Sequence, residues 1–162
     1  MSRAWLSLGS NIDAEAHLRA AADALRARFA AVQFSPVYRS PAVGFDGPDF
    51  LNAAAGIDSD LDALALDAWL HALEDAHGRR RDVPRFSSRT LDIDLLLYDG
   101  LVRDGPGHLQ LPRAELTTQA FVLRPMVDIA PALLHPTLGE PLAALLADCA
   151  GAEALERTGL QL

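Results

Sequence analysis

The segment TLDIDLLLYDG, residues 90–100, is the clearest strand of the sequence and anchors the interpretation of the fold. Alternation divides its side chains between two faces, with Leu91, Ile93, Leu95 and Leu97 on one and Asp92, Asp94, Leu96 and Tyr98 on the other. The two aspartates therefore point to the same side, with their Cα atoms about 6.5–7 Å apart. The Asp99-Gly100 pair that follows is typical of a hairpin turn.

Weaker patterns on both sides of this strand predict an order of elements. We expect, in sequence, a strand over 3–8, a helix over roughly 13–30, an edge strand within 32–44, a strand over 50–58, a helix ending near His77, the strand at 90–100, a helix over about 120–129 and a short helix near 141–149. Ser10 or Asn11 would cap the first helix, and Ser59 or Asp60 the second.

The order β-α-β-β-α-β predicts an α+β fold. We expect a ferredoxin-like two-layer α/β sandwich, in which helices cover one face of an antiparallel sheet and further helices are appended at the C-terminus. Residues 1–162 are interpreted as a single domain, because the chain has the length of one core.

The composition of the 162-residue chain excludes several classes of protein. Its net charge of −8 disfavours binding to nucleic acid or to an anionic membrane. Short, charge-interrupted apolar runs and the lack of a secretory pattern predict a cytoplasmic protein. The single cysteine, Cys149, excludes an internal disulfide and fits a small buried hydrophobe. All 14 basic residues are arginine, which excludes Walker-type phosphate loops, Schiff-base catalysis and pyridoxal chemistry.

Positive charge is concentrated directly before the aspartate pair. Five of the 14 arginines fall in one short segment: Arg79, Arg80, Arg81, Arg85 and Arg89. Paired carboxylates suit one or two Mg²⁺ ions, and Mg²⁺ and arginine together neutralise a polyphosphate. The histidines show no paired metal-ligand spacing, so zinc is not indicated. The alternatives are a solvated strand face for the aspartates and a basic nucleic-acid loop for the arginines, and the acidic remainder of the chain argues against the second.

Several motifs together resemble one enzyme family. They are GSN at 9–11, VYRSPAVG at 37–44, PDFLNAA at 48–54, GRRRDVPRFSSRTLDIDLLLYDG at 78–100, LPR at 111–113 and FVLRPMVDIAP at 121–131. In this order they look like 6-hydroxymethyl-7,8-dihydropterin pyrophosphokinase, a folate-pathway family, over nearly the whole chain. The resemblance implies transfer of pyrophosphate from ATP, as co-substrate, to 6-hydroxymethyl-7,8-dihydropterin with two Mg²⁺ ions. We also expect a monomer, and the net charge of −8 argues against nucleic acid or a membrane as a partner.

The resemblance further implies roles for particular residues. Asp92 and Asp94 are similar to the family's metal ligands, and Arg79 and Arg89 to its catalytic arginines. The residues that match nucleotide-binding positions are Glu74, Arg81, Arg85, Phe86, Leu95, Gln110 and Arg113. Those that match pterin-binding positions are Ser40, Pro41, Val43, Gly44, Phe50, Asn52 and Phe121. Two of these, Phe50 and Phe121, would sandwich the planar heterocycle. Glu74 is expected on the exposed side of its helix.

The sequence departs from the family pattern at three places. Phe86-Ser87-Ser88 replaces tryptophan followed by Gly-Pro, Arg113 replaces a histidine, and Gln119 replaces an arginine that contacts the nucleotide. Arg113 can compensate for the missing arginine, since a guanidinium binds phosphate bidentately. The alternative functions are a divergent paralogue that binds a pterin with altered or no ATP-dependent transfer, and an RNA-binding ferredoxin-like module. The net charge and the 6% aromatic content disfavour the RNA-binding module.

Overall fold

Two long antiparallel strands form the centre of the sheet. In the computed structural model, which describes residues 1–78, 82, 88–104 and 109–162, β1 (Ser2–Ser10) pairs with β4 (Phe50–Ser59) along its whole length. β5 (Asp92–Tyr98) lies antiparallel on the other side of β1. The aspartate-bearing strand is therefore an edge strand and lies next to the first strand of the chain.

The edge strand predicted within 32–44 is divided into two. β2 (Ala30–Phe34) and β3 (Tyr38–Ser40) both pair with β4. Pro36 lies between them and has no N–H to donate, so the strand cannot continue through it. At the break, the Ser35 hydroxyl accepts the N–H of Ala54 at 2.8 Å, which satisfies a donor of β4 from a side chain.

A two-residue strand, β6 (Glu156–Arg157), extends the sheet beyond β3. The order is β5-β1-β4-β3-β6, with β2 also paired to β4, and each of these pairings is antiparallel. The predicted ferredoxin-like sheet is confirmed.

Two amphipathic helices cover one face of the sheet. They are α1 (Ala14–Arg28) and α2 (Ala63–Ala76), close to the predicted spans. Their buried leucines pack with the apolar side chains of the strands; this core includes Leu6, Leu8, Leu18, Leu25, Ile57, Leu66, Leu70 and Ile93. Each fully buried leucine stabilises the fold by about 1.5–3 kcal/mol. Gly78, with φ +78°, follows α2 as a left-handed residue at the predicted helix end.

The predicted N-cap of α2 is wrong. Asp62 caps this helix, because its Oδ1 accepts the N–H of Ala65 at 2.8 Å. Ser59 instead accepts the N–H of Leu61 at 3.0 Å, within the turn that leads to the helix. Asp60 is exposed and pairs with Arg28. The sequence offers three cap candidates within four residues, and the turn decides between them.

The predicted N-cap of α1 is also wrong. The helix begins after Asp13, whose side chain makes no capping hydrogen bond. Ser10 and Asn11 are buried, and both are engaged with the segment that precedes β5. Their role belongs to the site described below.

A β-bulge in β5 changes the face that its last residues occupy. The register of the β1–β5 pair shifts between Trp5 and Leu6, so that Leu96 is an extra residue on β5. Leu97 therefore packs on the face opposite α1 and α2, and Tyr98 packs beneath those helices. The predicted alternation is right as far as Leu96 and wrong for Leu97 and Tyr98.

The predicted turn after β5 is present. Asp99 has φ +47°, and it bonds twice to Arg3: its N–H donates to the Arg3 carbonyl, and its Oδ1 accepts the Arg3 N–H, both at 2.8 Å. In the described part of the chain that follows, Arg103 and Leu111 form a bridge with each other, rather than a second strand against β5. The turn is confirmed, and the hairpin expected from it is not formed by these residues.

Helices also cover part of the opposite face, which corrects the prediction that helices lie on one side. These are α3 (Glu115–Thr118), α4 (Ala120–Ile129) and α5 (Leu142–Ala147). α4 has the predicted bounds, contains Pro125 and packs on β4. The second core cluster includes Ala54, Leu97, Val122, Leu123, Met126 and Leu142. Cys149 packs at the edge of this cluster, and burial raises the pKa of its thiol, as fits a packing cysteine.

Trp5 covers a glycine of the neighbouring strand on this second face. Trp5 pairs with Gly56, where an added Cβ would lie 2.6 Å from the Trp5 ring. The Arg3 guanidinium lies 4.9 Å from the centroid of the same ring.

Among the described helices, none is long and apolar enough to cross a bilayer.

Candidate active site

A cleft with a volume of about 470 Å³ opens on the sheet face that carries α4. Its floor is made of residues that are neighbours in the sheet register, with Gly9 of β1 between Asn52 of β4 and Asp92 of β5. The predicted site residues that line this cleft are Ser40, Pro41, Val43, Phe50, Asn52, Glu74, Arg89, Asp92, Asp94, Arg113 and Phe121. The structure therefore brings together residues from six separate stretches of sequence.

One predicted nucleotide ligand, Leu95, is wrong as a side-chain contact. Its side chain is 1% exposed and lies in the core beneath α1 and α2. Alternation along β5 puts Leu96, and not Leu95, on the same face as the aspartates, and Leu96 lines the cleft. Any contact of Leu95 with a ligand would have to come from its backbone.

Two further predicted residues do not line the cleft. Gln110 is exposed, and Gly44, with φ +82°, lies between two lining residues, Val43 and Phe45. Five arginine-segment residues lie outside the described part of the chain: Arg79, Arg80, Arg81, Arg85 and Phe86.

Asp92 and Asp94 face the cleft side by side, as predicted. Their register partners on β1 are Gly9 and Ser7, whose small side chains leave the space above the carboxylates open. Burial and the Asp92 carboxylate raise the pKa of Asp94 to about 8; Glu74 and Glu115 add to this effect, and the Arg113 guanidinium opposes it. The site therefore concentrates negative charge that a bound cation would stabilise.

Glu74 is buried, which corrects the prediction that it is exposed. It is 2% exposed, and its Oε2 accepts the N–H of Ile93 at 2.9 Å. Among the described strands β5 lies at the edge of the sheet, so none of them pairs with this N–H on that side, and the carboxylate of α2 accepts it. Glu74 thereby fixes β5 to α2 directly between the two aspartates.

Arg113 lies beside the aspartate pair. Its N–H donates to the carbonyl of Leu96 at 3.0 Å, which attaches the segment before α3 to β5. Its guanidinium lies 3.5 Å from Asp94 Oδ1 and 3.3 Å from Glu115 Oε2. Both ion pairs are longer than a charge-assisted hydrogen bond, and the buried Nε, which makes the contact with Glu115, has no hydrogen-bond partner.

Asn11 positions Arg89 at the mouth of the cleft. Its Oδ1 accepts the Arg89 N–H at 2.7 Å, and its own N–H donates to the Arg89 carbonyl at 3.0 Å. Its Nδ2 donates to the Pro48 carbonyl at 3.0 Å and to the Ser88 hydroxyl at 3.2 Å. Ser10 adds a 2.5 Å hydrogen bond to the carbonyl of Thr90. These bonds explain why a Ser-Asn pair follows β1 without capping α1.

The other end of the cleft is apolar with one oriented amide. Asn52 Nδ2 donates to the Ser40 hydroxyl at 2.8 Å and to the Tyr38 carbonyl at 3.4 Å, and Asn52 Oδ1 lies toward Gly9 on the cleft floor. Two aromatic side chains line the cleft here: Phe50 from β4 and Phe121 from α4. An aromatic lining with one fixed amide suits a flat, polar-edged heterocycle.

A partly buried network joins the two elements that flank this end. The Tyr38 hydroxyl of β3 donates to Asp128 Oδ2 of α4 at 2.6 Å and accepts from Arg124 Nε at 3.1 Å. Arg124 and Asp128 also pair with each other at 3.2 Å. Burial is the main cause that raises the pKa of Tyr38. The network holds the wall formed by β3 against the helix that carries Phe121.

Some residues of the cleft were not predicted. They are Ser7, Gly9, Phe45, Asp67, His71, Leu96, Glu115, Gln119 and Val122. Ser7 and Gly9 could have been found by pairing β1 with β5, because they are the register partners of the aspartates. Asp67 and His71 precede Glu74 at helical spacing and share its face, a pattern that the sequence contains.

The described residues provide two oxygen ligands for a metal, and not a complete coordination shell. Within residues 1–78, 88–104 and 109–162, no group of three or more His, Cys, Asp or Glu side chains could hold an ion. Two carboxylates without thiolate or imidazole fit Mg²⁺, which binds through few protein carboxylates and takes its other ligands from water and phosphate. They do not fit a structural zinc site.

Comparison with known proteins identifies relatives over most of the chain. The sequence model of the family described as 7,8-dihydro-6-hydroxymethylpterin-pyrophosphokinase (HPPK) matches residues 5–131. Two relatives carry the name 2-amino-4-hydroxy-6-hydroxymethyldihydropteridine pyrophosphokinase. The protein from Pseudomonas aeruginosa is 39% identical over 155 residues, which cover 92% of this chain and 93% of its own. The protein from Methylorubrum extorquens is 40% identical over 162 residues, which cover 96% of this chain and 100% of its own.

Solved structures show the same fold at low sequence identity. A Plasmodium falciparum HPPK-DHPS triple mutant with pteroate aligns with a TM-score of 0.76 at 12% identity and covers 96% of this chain. The wild-type HPPK-DHPS with pteroate aligns with a TM-score of 0.74 at 11% identity and covers 91%. The chain spans less than half of each of those two chains, 46% and 44%.

Proposed function

The chain belongs to the 7,8-dihydro-6-hydroxymethylpterin-pyrophosphokinase family, and we propose that it transfers pyrophosphate from ATP to 6-hydroxymethyl-7,8-dihydropterin. The products would be AMP and the pterin diphosphate used in folate biosynthesis. The observation that carries this proposal is one cleft with an aspartate pair at one end and an aromatic pocket with a fixed amide at the other. The two ends suit the two substrates, and the transferred group would lie between them.

The pterin occupies the end of the cleft next to β3 and α4. Phe50 and Phe121 stack on its two faces, and Asn52 accepts a hydrogen bond from its polar edge through Oδ1. Ser40, Pro41 and Val43 form the wall, and Gly44 allows the chain to turn away with a positive φ. The Ser40 hydroxyl holds the Asn52 amide in place, so the pocket is formed before the ligand arrives.

Asp92 and Asp94 hold two Mg²⁺ ions at the other end. Their spacing on one strand face, their hard oxygen donors and the crowding of carboxylates around Asp94 all fit such ions. Bound there, magnesium would neutralise the triphosphate and lower the pKa of a coordinated hydroxyl. Glu74 keeps both aspartates aligned through its bond to Ile93 N–H.

The reaction joins the pterin hydroxymethyl oxygen to the β-phosphorus of ATP. The bond between that phosphorus and the α–β bridging oxygen breaks, and AMP leaves with the bonding electrons while the hydroxyl proton is released. Arg89, fixed by Asn11, neutralises the charge that grows on the bridging oxygen. Arg79, Arg81, Arg85 and Phe86 keep the roles that the family resemblance implies for them, with Arg79 as the second catalytic arginine.

One chain supplies every residue of this proposed site, so a monomer is sufficient for the reaction. The single cysteine rules out an internal disulfide and is compatible with the reducing environment of the cytoplasm. We therefore retain a cytoplasmic monomer as part of the proposal, with ATP and the pterin as its partners.

The proposal is tested by identifying the products with phosphorus NMR. Purified protein with ATP, Mg²⁺ and the pterin should give AMP and a pterin that carries two phosphorus atoms. Formation of ADP and a pterin monophosphate would mean transfer of one phosphoryl group and would contradict the proposal. Pterin binding without either product would favour the alternative, a divergent paralogue without ATP-dependent transfer.

A further inference from the structure

Arg113 places a permanent positive charge where the metal would bind. Its guanidinium lies 3.5 Å from Asp94 Oδ1, and both side chains are about 30% exposed, at 30% and 28%. Mg²⁺ binds carboxylate oxygens at about 2.0–2.1 Å, so a guanidinium and the ion cannot both contact the same oxygen on the same side. The two cations compete for Asp94.

The contacts of Arg113 allow its side chain to move while its backbone stays. The N–H of Arg113 is held by the Leu96 carbonyl at 3.0 Å, on the strand that carries Asp94. In contrast, the guanidinium is held by two loose ion pairs, one from a terminal nitrogen to Asp94 at 3.5 Å and one from the buried Nε to Glu115 at 3.3 Å, and the Nε contact is not a hydrogen bond. Moving this side chain away from Asp94 therefore costs little interaction free energy, provided that the guanidinium can pair with another anion.

The cleft offers such an anion once the nucleotide is bound. Arg113 and Asp94 line the same cavity, so a nucleotide phosphate bound beside the metal would lie within reach of the released guanidinium. A guanidinium binds phosphate bidentately, with shorter and stronger bonds than it makes here.

We propose that Arg113 is an exchangeable counter-ion: it neutralises Asp94 before the metal binds and passes to a nucleotide phosphate when metal and nucleotide enter together. This inference rests on the proposed role of Asp94 as a metal ligand. Its consequence is thermodynamic coupling, because Arg113 opposes binding of the metal alone and favours binding of the metal with the nucleotide. Arg113 is thus a positioning and selectivity residue for the loaded state.

The test measures Mn²⁺ binding to the full-length protein by electron paramagnetic resonance. Each protein is titrated with Mn²⁺ alone and again with the α,β-methylene analogue of ATP, with nucleotide-only blanks to correct for metal bound in solution. Removing the charge with Arg113→Gln should tighten binding of Mn²⁺ alone by about three- to tenfold, as expected for loss of a partly exposed competing charge. The same change should reduce the gain in Mn²⁺ affinity that the analogue produces.

Two further variants isolate the effect. Arg113→Lys keeps the cation and should bind Mn²⁺ alone about as weakly as the unsubstituted protein. Arg157→Gln removes an exposed arginine of β6 and controls for the change in net charge, so it should leave both affinities unchanged. If Arg113→Gln binds Mn²⁺ alone no more tightly than the unsubstituted protein does, the inference is wrong.

Asp94→Asn distinguishes this failure from failure of the metal site itself. If Asp94→Asn weakens Mn²⁺ binding in the presence of the analogue, the metal site stands and only the role of Arg113 is in question. If Asp94→Asn leaves that binding unchanged, Asp94 is not a metal ligand, and both the proposed metal site and the inference are wrong.

Discussion

Replacing Asp94 with asparagine should stabilise the protein in the absence of divalent cations and remove its activity. The reason is that partial burial, together with the neighbouring carboxylates of Asp92, Glu74 and Glu115, raises the pKa of Asp94 from 3.8 to about 8. Asparagine keeps the shape of the side chain and removes the charge that its neighbours repel.

The magnitude follows from the pKa shift. Raising the pKa from 3.8 to about 8 corresponds to roughly 6 kcal/mol of free energy between the two protonation states. The Asp94 side chain is 28% exposed and solvent screens part of this free energy, so we expect about a third of it, ~2 kcal/mol. For a domain of this size that is a rise in Tm of roughly 4–8 °C.

The sign of the pH dependence is fixed by the direction of the shift. The folded state binds the Asp94 proton more tightly than the unfolded state, so the unsubstituted protein loses stability as pH rises from about 4 to about 8. The advantage of Asp94→Asn should therefore be small at pH 5 and complete at pH 9.

Urea unfolding in EDTA at pH 5, 7 and 9 measures this difference. Asp60→Asn is the matched control, because Asp60 is exposed and its pKa is lowered by the hydrogen bond from Arg28. The Asp60→Asn substitution should not raise the free energy of unfolding at any of the three pH values. An Asp94→Asn variant whose advantage does not grow between pH 5 and pH 9 would refute the charge-crowding argument.

Two other substitutions test the packing and the geometry of the site. Gly56→Ala should lower the free energy of unfolding by about 1–3 kcal/mol in urea, because the added Cβ would lie 2.6 Å from the Trp5 ring. Gly100→Ala is the control: its Cβ would enter open space, and stability should change by less than about 0.5 kcal/mol. Asn11→Ala should lower kcat by roughly 10- to 100-fold in an AMP-release assay because it frees the Arg89 backbone, and Asn11→Asp, which can still accept the Arg89 N–H, should lose less. An unchanged kcat in Asn11→Ala would show that Asn11 does not position Arg89.

The main elements of the fold could be predicted because they depend on local periodicity. Strand β5 alternates strictly over its first residues, and α4 was predicted with its observed bounds despite Pro125. The bulge at Leu96 was not predictable, since it arises from the pairing of β5 with β1 and leaves no mark in either segment alone. The cap of α2 at Asp62 likewise depends on a turn that uses Ser59.

The candidate site was predictable where motifs specify residue types, and less so where tertiary contacts set the environment. The aspartate pair, Asn52 and Phe121 all line the cleft as expected. The burial of Glu74 was missed because its partner, Ile93 N–H, belongs to an edge strand, and edge positions follow from the sheet order. The ion pair of Arg113 with Asp94 joins segments that the sequence does not place together.

The most direct test of the account is AMP release from ATP in the presence of Mg²⁺ and 6-hydroxymethyl-7,8-dihydropterin. The assay compares the unsubstituted protein with Asp92→Ala and Asp94→Ala. Asp60→Ala is the control, because Asp60 is exposed and does not line the cleft. We predict AMP release that requires the pterin, is abolished in both cleft variants and is retained in the control. AMP release that persists in Asp92→Ala and Asp94→Ala, or that does not depend on the pterin, would contradict the account.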